Sequence, residues 1–274
     1  MTTMPAGPGL PEVPIARFIQ DRLSLHPPDP IAFNTNGDLR QLSAVFFLLG
    51  MGTDGRPELI LNKRSRQVRQ PGDLCCPGGG ISPKIDPLLA KWLRLPAPPL
   101  SGWSRGRWWQ RHRPADWPKL ALLLATALRE GFEEMRLNPL GVQFLGLMPV
   151  QDLVMFKRAI YPLVGWVPRQ KRFFPNWEVE KIVRIPLASF FDDDNYTCCR
   201  ISFQDENFES PEIPFRDMPG FVYRQNGSAE LLWGATYRVT EKFLSMVFDY
   251  TPPQISTLPI ISRRLNRRYL GTGN

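Results

Sequence analysis

The 274 residues suffice for one large domain with a buried core, or for two small ones. At 43% hydrophobic and 22% charged the composition is that of a soluble globular chain, and it holds no run of 18 apolar residues that could span a membrane as a helix. A net charge of +8 favours anionic partners: nucleotides, nucleic acid or acidic lipid.

Taken in order, residues 11–25 have the apolar spacing of a short amphipathic helix. Residues 41–50 read as a buried strand, the Thr53-Asp54-Gly55 run as a turn and 58–64 as the returning strand, so 42–64 is a predicted hairpin. The stretch PGDLCCPGGG, 71–80, is predicted as loop and short strand, its glycines allowing close approach of backbone. Residues 87–121 are a different material: seven Lys/Arg against the single acid Asp116, six prolines, and five of the eight tryptophans (Trp92, Trp103, Trp108, Trp109, Trp117). A helix is expected over 119–137. Strands are expected at 142–150, 156–167, 198–203, 220–224 and 230–234, with strand and short helix mixed over 177–191, and a helix over 235–248. The end, with four arginines in SRRLNRRYL, is expected to fray or lie on the surface as a basic tail, 251–274. The mixture predicts one α+β domain, 1–274, with a decorated middle.

The four cysteines form two adjacent pairs, Cys75–Cys76 and Cys198–Cys199, with neither metal-ligand spacing nor a disulfide framework, so they are read as packing residues. With no basic and apolar leader at the N-terminus, a reduced, cytoplasmic compartment is expected. Only two histidines occur, His26 in a proline-rich stretch and His112 among the tryptophans, which excludes a Ser-His-Asp triad around Ser65.

The helix at 119–137 poses a sharper question. Ala121, Leu124, Leu128, Phe132 and Met135 fall within about 80° of one another, while Glu130, Glu133 and Glu134 span about 100° on the other side. Like charges at that spacing repel by a few tenths of a kcal/mol per pair. Either the face is simply solvated, or it holds hard cations such as Mg²⁺ or Mn²⁺.

The setting of these acids resembles the signature of the Nudix hydrolases: G, five residues, E, seven residues, then R-E-U-x-E-E-x-G-U, where U is bulky and apolar. Gly80, Arg129, Glu130, Glu133, Glu134 and Leu137 match, and Asp86 stands at the first glutamate. Gly131 replaces an apolar residue, Arg136 replaces the closing glycine, and 42 residues rather than seven separate Asp86 from Arg129. Removing the 35 surplus residues, essentially the 87–121 insertion, closes the motif. Before it, LILNKRSRQVRQPGDLCCPGGG is similar to the coenzyme A pyrophosphatase branch at Arg64, Ser65, Arg69, Gly72, Pro77, Gly78 and Gly79, with Gln70 in place of a His and Cys76 in place of a Phe. The resemblance covers about residues 40–250.

It implies the Nudix fold, a mixed β-sheet sandwiched between α-helices, and metal-dependent cleavage of a nucleoside diphosphate derivative. Coenzyme A or acyl-coenzyme A leads, with ADP-ribose, NADH or a dinucleoside polyphosphate as the alternative. By the same resemblance Glu130 and Glu134 are metal ligands for Mg²⁺ or Mn²⁺. Glu133 is a third ligand or aligns the water, Arg129 orients a glutamate, and Glu178 is a further acid near the metals. Arg64 and Arg69 are candidates for binding phosphate, and Gly78, Gly79 and Gly80 shape the loop that presents backbone to the site. The expected partner is therefore a small-molecule nucleotide. A non-enzymatic fold that binds nucleotide or nucleic acid is the reading from another class, and the intact acidic set stands against it. For the insertion three readings are open: a structural flap, a lid over the site, or a surface for anionic membrane or nucleic acid.

Overall fold

The computed structural model describes residues 14–33, 39–95, 104–153, 158–203, 216–225, 227–265 and 269. Its axis is strand β1 (Leu42–Met51), whose side chains alternate between two apolar faces. Leu42, Ala44, Phe46 and Leu48 enter one core; Phe47 and Leu49 enter the other. A strand covered on both faces needs no polar side, which is why this stretch is continuously apolar.

On one edge, β1 pairs antiparallel with β2 (Pro57–Arg64), Leu48 opposite Ile60, as the turn signal predicts. Further along the same edge it pairs with β4 (Gly78–Gly80), Ala44 opposite Gly79, so the glycine run is a strand. β3 (Leu74–Cys75) and β8 (Val179–Pro186) pair with β2. The other edge of β1 takes β7 (Arg158–Val167) in parallel, and β5 (Gln143–Leu147) and β6 (Gln151–Leu153) join β7 antiparallel. These eight strands form one mixed sheet.

Helices α2 (Asp86–Leu93), α3 (Ser104–His112) and α4 (Trp117–Met135) cover one face through Leu93, Trp109, Leu124 and Leu128. Helices α1 (Ile15–Ser24) and α5 (Gly234–Phe248) cover the other through Ile19, Leu23, Phe243 and Val247. A second sheet in the order β11-β10-β9-β12 adjoins this second core: β9 (Tyr196–Phe203), β10 (Arg216–Gln225), β11 (Ser228–Trp233) and β12 (Ile260–Leu265). The architecture is α+β, a mixed sheet between helical layers, as expected from the sequence.

Three expectations change. The end of the chain does not simply fray: Ile260–Leu265 pairs in parallel with β9, and Tyr269 is buried. The rest of that tail, 266–268 and 270–274, lies outside the described residues, as does Trp103. Helix α4 is buried around more of its circumference than the predicted stripe, because Leu120, Leu123 and Ala127 also face the core. Glu134 therefore lies on a buried edge at 7% exposure, whereas Phe132, assigned to the stripe, is 45% exposed with the Arg136 guanidinium 5.0 Å from its ring.

Much of the insertion is load for the first core. Trp109 is 1% exposed, and Trp108 and Trp117 pack against that core while Trp92 remains exposed. Two of its basic side chains are tied inward as well. Arg113 bonds Asp116 at 2.6 Å and donates to the Pro28 carbonyl, and Lys119 donates to the Ile31 carbonyl at 2.6 Å. Among the described residues no helix is long and apolar enough to cross a membrane.

Candidate active site

Helix α2 returns Asp86 to α4. The Asp86 carboxylate is 0% exposed and fully engaged: its Oδ2 accepts from the Ser82 amide at 2.7 Å and the Thr126 hydroxyl at 2.8 Å. Arg129 completes the set as a fork, Nε to Oδ1 at 2.7 Å and Nη2 to Oδ2 at 3.1 Å. The same guanidinium donates to the Gly80 carbonyl at 3.1 Å and pairs with Glu130 Oε1 at 2.9 Å and Glu133 Oε2 at 3.1 Å. Burial works against the Arg129 charge, but the Asp86 bond and the charges of Glu130, Asp86 and Glu133 hold its pKa above the ordinary value.

Glycine at 78 and 79 answers a close approach. A Cβ on Gly79 would stand 2.6 Å from the Glu130 carboxyl carbon, and one on Gly78 would stand 2.3 Å from the Ala44 carbonyl oxygen. Without them, the β4 ribbon lies directly against the acidic end of α4. Gly78 donates its amide to Glu134 Oε2 at 3.0 Å, and Asn62 Nδ2 donates to the same oxygen at 2.9 Å.

Glu134 is thus buried beside neutral donors, and among the described residues it has no ion-pair partner. Burial pushes its pKa up to about 8; the Gly78 bond and the Arg64 charge oppose the rise, while Glu130 and Glu178 add to it. Burial likewise raises Glu130 against the opposing charge of Arg129. A buried acid beside two others is a common mark of a functional site, because structure alone gains nothing from that repulsion.

Glu178 enters from the start of β8. The Ser65 amide donates to its carbonyl at 2.8 Å, and the Asn176 amide just before it donates to the Glu134 carbonyl at 2.8 Å, docking this loop on the end of α4. Arg64 lies at the end of β2, its Nε donating to the Arg69 carbonyl at 2.7 Å, while Arg69 is exposed. Glu133 is half-exposed, its side chain at 51%, on the outer side of Arg129. The structure therefore gathers Glu130, Glu134, Glu178, Arg64 and the glycine ribbon, and sets Glu133 and Arg69 at the rim. Among the described residues no three acidic, histidine or cysteine side chains stand close enough to hold a metal ion as they are.

Sequence reasoning missed Asn62. It is fully buried and fixes Glu134, and among the described residues its Oδ1 has no hydrogen-bond partner. The available signal was a lone amide in the apolar strand ELILNKR. All four cysteines are free, and burial raises the Cys75 and Cys76 thiols well above their ordinary range, so neither is poised as a nucleophile. Cys76 packs in the second core, so its replacement of a Phe bears on packing.

No family model matches the chain. A curated relative, the Uncharacterized Nudix hydrolase NudL of Pectobacterium atrosepticum, is 28% identical over 128 residues, which are 46% of this chain. The similarity is to a Nudix hydrolase. The chain spans 60% of that relative's length. Among solved structures, the Nudix hydrolase RenU from M. smegmatis aligns with 13% identity and a TM-score of 0.32, covering 54% of this chain and 71% of that one. The NUDIX domain of Shewanella oneidensis NrtR, solved with ADP ribose, gives 16% and 0.33 over 58% of this chain and 79% of that one. A NUDIX hydrolase from Alicyclobacillus acidocaldarius gives 15% and 0.35 over 56% and 81%. At such TM-scores the structural likenesses decide nothing about activity.

Proposed function

We propose that the protein is a Nudix pyrophosphohydrolase that cleaves the diphosphate of a nucleoside diphosphate derivative, with coenzyme A or acyl-coenzyme A as the leading substrate. The observation that carries this reading is the pairing of a fully engaged Asp86–Arg129 fork with a buried Glu134, bonded by neutral donors, against the Gly78–Gly80 ribbon. A surface helix with solvated acids would need neither.

The residues fit a hard divalent cation. Glu134 is a buried acid bonded by neutral donors, Asn62 Oδ1 beside it is unsatisfied among the described residues, and Gly79 leaves room for the Glu130 carboxylate. Glu130 and Glu134 would hold Mg²⁺ or Mn²⁺, with Glu178 as a further acid and Glu133 as a third ligand or the group that aligns water. Such a cation supplies charge neutralisation for the diphosphate and lowers the pKa of a bound water. The remaining work falls to the chain. Arg129 fixes the Glu130 rotamer from the Asp86 anchor, and Arg64 and Arg69 bind phosphate oxygens. The ribbon at 78–80 presents backbone, and Glu133 or Glu178 takes the proton of the attacking water. Attack at one phosphorus breaks the bridging P–O bond, giving adenosine 3′,5′-bisphosphate and phosphopantetheine from coenzyme A.

The test is incubation of the full chain with coenzyme A, ADP-ribose, NADH and diadenosine polyphosphates in Mg²⁺ or Mn²⁺, with chromatographic separation of products. Glu134→Gln and an EDTA sample run alongside, and each is expected to lower turnover by at least about a hundredfold. Turnover of ADP-ribose but not coenzyme A would move the substrate and keep the chemistry. Turnover of none would overturn the reading in favour of a binding role.

A further inference from the structure

The chain beyond residue 250 lies outside the stretch that carries the resemblance, yet it reaches the candidate phosphate loop. That loop, 64–73, is closed by the Arg64 amide donating to the Asp73 carbonyl at 2.9 Å and the Gly72 amide donating to the Arg64 carbonyl at 2.9 Å. It contains two left-handed residues, Gly72 at φ 78° and Gln70 at φ 55°, the latter a conformation that a non-glycine residue holds only with outside support. The support comes from the far end of the sequence, where the Gln70 amide donates to the Tyr269 carbonyl at 3.2 Å.

Asp73 is the second tie. Its Oδ1 accepts from Trp233 Nε1 at 3.1 Å and pairs with Arg263 Nη2 at 2.7 Å, and its Oδ2 accepts from the Tyr269 hydroxyl. The Arg263 guanidinium lies over both rings, 5.1 Å from Trp233 and 5.8 Å from Tyr269. Tyr269 is buried with Leu265 against Cys199 and Ile201 of the second sheet. A rigid sheet thus grips the loop through one carboxylate and one amide. An edge strand needed only for stability would not direct its arginine to the same loop acid that the Tyr269 hydroxyl reaches.

We propose that Arg263 and Tyr269 are positioning residues: acting through Asp73, they hold the 64–73 loop so that Arg64 and Arg69 face the diphosphate. The proposal rests on the pyrophosphohydrolase reading for its substrate, but not for its geometry. Tyr269→Phe removes only the hydroxyl that reaches Asp73, and Arg263→Ala removes the guanidinium that pairs with it. In the full chain both are expected to raise KM for the diphosphate substrate about tenfold with kcat within about twofold, the signature of lost ground-state and transition-state binding alike. Arg263→Lys restores part of the loss by keeping the charge. Variants that melt at lower temperature with KM unchanged would show a structural role only and overturn the proposal.

An independent titration separates this proposal from the reading on which it rests. Binding of inorganic pyrophosphate to the protein in EDTA, followed by calorimetry, is expected to weaken about tenfold in Tyr269→Phe. If the wild type hydrolyses no diphosphate, the functional reading alone fails and this titration decides: weaker binding sustains the proposal, and equal or absent binding overturns it.

Discussion

Asp86 and Glu134 are both buried acids on the same helical layer, and they are treated in opposite ways. Asp86 receives an amide, a hydroxyl and two guanidinium N–H groups, so its charge is compensated inside the protein. Glu134 receives two neutral donors on one oxygen, and its pKa is pushed to about 8. A completed set of bonds marks a residue that holds the structure. An uncompensated one is costly to ionise, which is why the pKa rises, and the proposed cation site gives that cost a use.

The sharpest way to break this contrast is to neutralise each acid in turn and measure stability. Asp86→Asn leaves the Arg129 guanidinium, 11% exposed, without its fork partner. Removing one side of a buried pair costs about 3–5 kcal/mol when the other charge is left alone; Glu130 and Glu133 still face this guanidinium, so a smaller loss is expected, a fall in Tm on the order of 5 °C by thermal denaturation. Glu134→Gln in the metal-free protein should not be destabilised in this way at pH 8. Equal losses from the two substitutions would mean that both acids are structural.

The pH dependence sharpens the contrast. An acid whose folded pKa is raised binds more protons folded than unfolded between the ordinary carboxylate value, 4.5, and about 8. Stability then falls as pH rises through that window. In metal-free protein, denaturant titrations from pH 5 to pH 8 are expected to show this fall, and Glu134→Gln is expected to flatten it. Divalent cation at pH 8 should restore stability to the wild type and not to the variant. A profile that is the same with and without the substitution would remove Glu134 as the cause.

What could be seen in the sequence, and what could not, divides along local and distant determinants. The β1–β2 hairpin follows from a continuous apolar run and the Asp54-Gly55 turn, and α4 from its 3.6-residue period, both set by neighbours in the chain. The box spacing set Asp86 and Arg129 in one motif across the insertion, and the fold pairs them with 42 residues between their positions. Burial of Glu134 was not legible, because it depends on β4 closing over one edge of the helix. Nor was the ordered end of the chain. Arg263 looks like a solvated charge until Asp73 is brought to it, and nothing in SRRLNRRYL points to that partner. The tryptophans of the insertion left a flap, a lid and a binding surface open; the burial of Trp109 favours the flap for that part of it.

The smallest expected effect lies two residues past Glu134. Arg136, in place of the motif's closing glycine, adopts the left-handed conformation that glycine favours, φ 55° and ψ 38°. Its amide donates to the Phe132 carbonyl at 3.0 Å and the next amide, Leu137, to the Gly131 carbonyl at 3.1 Å, so the helix ends with satisfied carbonyls despite the substitution. The other departure from the motif explains how. A Cβ on Gly131 would stand 2.8 Å from Leu137 Cδ2, so the glycine inside the helix makes room for the side chain that folds back at its end. The left-handed arginine costs about 1 kcal/mol, offset in part by about 0.5 kcal/mol from its place over Phe132. Arg136→Gly is therefore expected to raise stability by about 0.5 kcal/mol, a gain in Tm of roughly 1–2 °C. Gly131→Ala should lower stability by more, since it crowds Leu137 in the first core. If Arg136→Gly instead lowered Tm, the cation over Phe132 would outweigh the backbone strain. The end of the helix that presents Glu130 and Glu134 would then be held by a side chain where glycine relies on backbone freedom.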